Sequence, residues 1–171
     1  MKRLAILLPL AIVVIISPFV RAEGEPLSDT ALNSIRTTCA DAQVSIQRLQ
    51  QSEKPIRINR GHLYDMTLKL MVNLNSRVAV NNIDSLELLS ITGDYEKKLK
   101  LFVTDYTNYD KSLSALIKLD CSEQPQKFYD DLVIARSLRS KLAQTVRDLN
   151  GLLDSYQADM NSLKELVGVN L

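Results

Sequence analysis

Cys39 and Cys121 are the only cysteines in 171 residues, and the breaks around them divide the chain into arms of nearly equal length. Asn81-Asn82-Ile83-Asp84 is rich in turn formers, and Ser122-Glu123-Gln124-Pro125 follows Cys121 at once. Residues 39–80, 84–121 and 126–167 are then three arms. If the first two are antiparallel helices hinged at Asn82, the cysteines fall side by side at the far end. The chain is therefore expected to be all-α: an elongated antiparallel three-helix bundle with coiled-coil-like packing, stapled by Cys39–Cys121. Arms of about 40 residues reach ~60 Å at 1.5 Å per residue, so the bundle should be a rod.

The N-terminus reads as a secretory signal. Lys2 and Arg3 precede an apolar run from Leu4 to Ile16, and Val20-Arg21-Ala22 is a small-residue cleavage pattern before Glu23. Pro9 and Pro18 interrupt the run, and a spanning helix needs ~20 apolar residues, so cleavage is favoured over retention as a membrane anchor. Residues 1–22 are thus a signal peptide, or an N-terminal anchor if uncleaved, and 23–171 a single domain. Cleavage removes Lys2, Arg3 and Arg21 but no acid, leaving 18 of the 21 bases against 20 acids. That balance gives no reason to expect nucleic acid, which is held by many Lys and Arg contacts to phosphate. In an oxidising compartment an isolated cysteine pair reads as a structural disulfide. Two cysteines and one histidine fall short of a four-ligand zinc site, and no cofactor motif is present.

Apolar residues recur every seven positions, as in helices that pack along a narrow seam. In the first arm the row is Ile35, Ala42, Leu49, Ile56, Leu63 and Leu70, with Leu32, Cys39 and Ile46 as companions. It crosses Pro55 without losing phase. An interior proline costs ~3 kcal/mol in a helix, so a kink is expected there; a split would make four helices. In the second arm Asp84 can cap, Glu87 sits three residues on, and Ile83 and Leu88 are placed as a hydrophobic staple. Its row is Leu88, Tyr95, Phe102, Tyr109 and Leu116; that of the third is Phe128, Ala135, Leu142, Leu149, Tyr156 and Leu163.

Few residues carry chemistry. His62, the single histidine, has Asp65 three residues on, as a general base would require, but no nucleophile can be placed beside it. Lys54, Arg57 and Arg60 cluster with it near Pro55, most simply as a solvated face. Arg139 occupies a seam position between Leu132 and Val146, at about the height of Arg60, Asp105 and Tyr106. Asp105 can pair with it there, with the Tyr106 and Tyr109 hydroxyls completing a polar layer. Such a layer fixes helix register; the functional alternative is a small anionic ligand or lipid head group held between the helices.

The order of features in residues 36–142 resembles a group of exported two-cysteine helical proteins from small-genome, Patescibacteria-like bacteria. The residues that carry the resemblance are Cys39, His62-Leu63-Tyr64, Asn82-Ile83-Asp84, Asp105-Tyr106 with Tyr109, Cys121, Pro125, Phe128 and Ala135-Arg136. Pro55 departs from that pattern, in which the first helix is uninterrupted. The resemblance implies three helices and export, and supplies no activity.

The expected function is that of a non-enzymatic structural or protein-interaction module in the cell envelope, with no cofactor. Its partners would be a protein, or a second copy, met through helical faces, and a membrane only through an uncleaved N-terminus. Val44, Leu68, Met71, Leu89, Leu101, Val103, Ile117 and Ile134 lie off the seams and are the candidates for such contact.

Overall fold

The computed structural model describes residues 26–168; the segment expected to be a signal peptide, residues 1–22, lies outside them. Three helices make up nearly all of the described chain: α1 (Asp29–Val80), α2 (Leu86–Lys118) and α3 (Pro125–Val167). They form the expected antiparallel bundle. Cys39 and Cys121 are bonded, with Cα atoms 5.6 Å apart. Among the described residues no helix is long and apolar enough to cross a membrane.

Each boundary has a local cause. Ser28 caps α1, its Oγ accepting the Ala31 N–H at 3.3 Å. Just beyond the Asn81 C-cap the chain turns away from α1 at Asn82, whose φ of 54° is a left-handed conformation that asparagine tolerates. There Asn82 N–H donates to the Ala79 carbonyl and Ile83 N–H to Val78, a Schellman arrangement that satisfies two terminal carbonyls. The capping box expected from Asp84 does not form in that register. Ser85 is the N-cap of α2, and Asp84 Oδ1 accepts only the Leu86 N–H, at 3.4 Å. At the other end of α2, the Gln43 amide donates to the carbonyls of Leu116, Ile117 and Leu119 at 2.6–3.1 Å. A side chain of α1 therefore caps α2, beside the disulfide. Pro125 opens α3 at its first turn, where its missing N–H costs nothing.

Helix α1 runs through Pro55 as one helix, so the four-helix alternative falls. Proline removes the bond to the Gln51 carbonyl, but Gln51 and Pro55 are both exposed. Water can satisfy what the ring leaves open.

The rows of α2 and α3 are buried along their length, from Leu88 to Leu116 and from Phe128 to Tyr156. The row of α1 is not. Ile35, Ala42 and Leu49 are half-buried, whereas Ile56, Leu63 and Leu70 are 58%, 60% and 67% exposed. A straight α-helix drifts ~20° per heptad, so a strict seven-residue row turns out of a seam unless the helix winds around its neighbours. The same drift carries the neighbouring row inward as the first turns out: Gln50 and Arg57 are half-buried and Tyr64, Met71 and Val78 buried, with Ile46, Glu53, Leu68 and Asn75 beside them. Of the off-seam candidates Met71 is buried and Leu68 and Ile117 pack on the core, while Val44, Leu89, Leu101, Val103 and Ile134 stay exposed. α2 packs closely on both other helices, but α1 and α3 approach each other much less.

An aromatic cluster forms where Tyr64 meets α2 edge-on, its ring centroid 5.3 Å from Phe102 and 6.5 Å from Tyr95. The Tyr95 hydroxyl is buried there without a hydrogen bond. Burial pushes its phenol up to about 12, the nearby Thr67 hydroxyl opposing the rise. A buried unpaired donor destabilises by ~1–3 kcal/mol. Tyr95→Phe keeps the ring and should raise the thermal midpoint by several degrees; an unchanged or lower midpoint would show that the hydroxyl finds a partner in solution.

Candidate functional site

Polar side chains enter the bundle at three levels. The first is where the inward row of α1 turns polar, just before and after Pro55. Glu53 is bound by both Arg57 (2.7 Å) and Arg139 of α3 (3.1 Å). The Arg57 guanidinium lies over Tyr109 and Tyr106 of α2, 5.2 and 5.9 Å from the ring centroids, a cation–π arrangement. One turn earlier the Gln50 amide donates to Asp110 Oδ1 at 3.0 Å and to Ser114 Oγ at 2.8 Å. Burial first, and Glu53 next, push the Tyr109 phenol above its ordinary value, against the pull of Arg139 and Arg57. The phenols stay protonated at neutral pH, and the layer is a network of ion pairs and dipoles.

The second level is Asp105 of α2, which is almost wholly buried. Its Oδ2 accepts the Thr145 hydroxyl at 2.8 Å, and Oδ1 lies 2.8 Å from Lys141 Nζ. The expected Asp105–Arg139 pair is therefore corrected: α3 supplies Lys141 and Thr145 to Asp105, and Arg139 goes to α1. Thr145 is six residues beyond Arg139, which is ~9 Å along a helix. Asp105 also faces α3 directly, whereas Arg139 flanks the side toward α1.

The third level joins all three helices and was not anticipated. Asn75 of α1 accepts the Tyr156 hydroxyl on Oδ1 and donates through Nδ2 to Thr92 Oγ, both at 2.8 Å. All three are buried. The Thr92 hydroxyl donates onward to the Leu88 carbonyl at 2.7 Å. This is the layer best placed to set register. Asn75 stands out once Tyr64, Met71 and Val78 are taken as the inward row, because it then falls at a companion position between apolar neighbours.

The four residues grouped from the sequence do not converge. Tyr106 and Arg139 belong to the Glu53 layer, Asp105 to its own, and Arg60 is exposed on α1. His62 is exposed too, and Asp65 is taken by Lys69 at 2.6 Å, so among the described residues no carboxylate orients the imidazole. Of the basic cluster, Arg57 turns inward while Lys54 and Arg60 face solvent. Below the Glu53 layer a cavity of about 130 Å³ lies between the helices, lined by Ile46, Leu49, Leu113, Leu132 and Ala135 with Arg136 and Arg139 at its edge.

Compared with known protein families, curated proteins and solved structures, the chain has no match. Its functional reading rests on its own residues.

Proposed function

We propose that the chain is an exported, non-enzymatic helical rod that serves as a structural or protein-interaction module in the cell envelope. The observation that carries this reading is the outer face of α1, where Ile56, Leu63 and Leu70 leave the core and stay exposed. Apolar residues aligned over several turns on a surface mark a contact site more often than scattered ones do. Export is supported by the Cys39–Cys121 bond, which persists in oxidising compartments, and by the signal-like residues 1–22. The polar layers fit a structural role: each is satisfied mainly by neighbouring helices and sets how they align.

Fractionating the cells that make the protein tests the reading. The expected result is an extracytoplasmic protein beginning at Glu23, with Cys39 and Cys121 linked, that enters a larger protein complex. A cytoplasmic protein with free thiols would sink it.

A second reading, a small anionic ligand between the helices, draws on the cavity beside Arg136 and Arg139. At about 130 Å³ that cavity is well below the ~300–1,000 Å³ of typical ligand sites, which ranks the reading second.

A further inference from the structure

We infer that the face between α1 and α3 is a groove that takes an acidic amphipathic helix from a partner protein, completing a four-helix bundle. This rests on the protein-interaction reading above and names where the contact is made and with what. α1 and α3 run parallel, linked at Glu53–Arg139 and Asn75–Tyr156, yet they approach each other far less than either approaches α2. One side of the bundle is therefore open.

Ile56, Leu63 and Leu70 border that opening. Leu49 of the same row lines the cavity against Leu132 of α3, and Glu53, three residues before Ile56, reaches Arg139. The opposite flank of α1 meets α2 through Gln43, Gln50 and Arg57. On α3 the matching wall is half-buried Val146 and exposed Leu153. Two apolar walls on parallel helices make the seat that an amphipathic helix fills with residues at i, i+3, i+4 and i+7.

Charge names the occupant. Along the groove, residues 48–70 of α1 and 132–153 of α3, the acids Glu53, Asp65 and Asp148 are each held by a base. Lys54 and Arg57 lie toward α2 and Lys141 is on Asp105, which leaves Arg48, Arg60, Arg136 and Arg147 as the bases without an ion pair among the described residues. Glu53 is already shared by Arg57 and Arg139. Arg60 and Arg136 are exposed and make no ion pair among the described residues. A second copy docked through the same face would oppose one basic belt to another, which complementarity disfavours. A groove between two helices also suits a rod ~10 Å across better than a flat bilayer.

The test places a photoreactive benzophenone side chain at Leu63, and separately at Leu101 on the outer face of α2, in the full chain inside the cells that make it. Both positions are exposed, so the fold should tolerate the change, and circular dichroism checks it. The inference expects an adduct at Leu63 that maps to a heptad-patterned segment flanked by Asp and Glu. Its yield should fall at least tenfold when Arg60→Glu and Arg136→Glu are added. Adducts at Leu101 without any at Leu63 would overturn it. So would a Leu63 adduct with phospholipid or a second copy, or one indifferent to the two charge reversals. No protein adduct at either position would overturn the interaction reading itself.

Discussion

Replacing Cys39 and Cys121 with serine is expected to lower the unfolding free energy by roughly 4–5 kcal/mol, the chain-entropy value for a loop of this length. The bond links residues 82 apart, so the loop it closes is both helices of the hairpin. Domains of this size are stable by about 5–15 kcal/mol, and the loss is a large share of that. The effect should be uneven. Before Tyr64, Ile46 is the one apolar side chain of α1 that is fully buried among the described residues. The first half of α1 is otherwise held by the half-buried Ile35 and Ala42, by the bridge, by Gln43 on the end of α2 and by Gln50 on Asp110. Urea unfolding with amide exchange should show a lower midpoint, with the amides before Ile46 exchanging fastest. A loss under about 1 kcal/mol would mean that packing, rather than the loop constraint, holds the hairpin shut.

Lys141→Met should cost about 3 kcal/mol, the low end for breaking a buried pair. Asp105 is only 1% exposed, and among the described residues the Lys141 ammonium is the ion-pair partner of its Oδ1, which makes no hydrogen bond. Removing it strands a charge in the core. The Lys141 side chain is itself 62% exposed, which keeps the cost from the top of the range. Adding Asp105→Leu should recover most of the loss, because an apolar pair of similar volume needs no solvation. Denaturant unfolding of the two single variants and the double closes the cycle. If Lys141→Met alone is neutral, the carboxylate has another partner and the layer is misassigned.

The rows of α2 and α3 were legible in the sequence because two helices that coil around each other keep a seven-residue repeat in the seam. The hairpin register followed from Asn82 and the cysteines, which no other turn would bring together. α1 misled for a physical reason. Ile56, Leu63 and Leu70 have the right spacing, but the helix does not wind enough to keep them inward, and Gln50, Glu53 and Arg57 take their place. Polar residues in an inward row look like surface when read one at a time. Arg139 was expected in the seam, but its side chain is 55% exposed and reaches along the rim to Glu53. Height along a rod does not say which neighbour a side chain faces, however, and Glu53 rather than Asp105 is its partner.

One geometric outcome of three passes remains. α1 begins at the disulfide end and α3 finishes at the Asn82 end, about 65 Å away for 43 helical residues. Whatever is joined ahead of Asp29 and whatever is joined beyond Gly168 are held apart by the full length of the molecule. Tension between them would load the bundle lengthwise, with the covalent staple near the first grip.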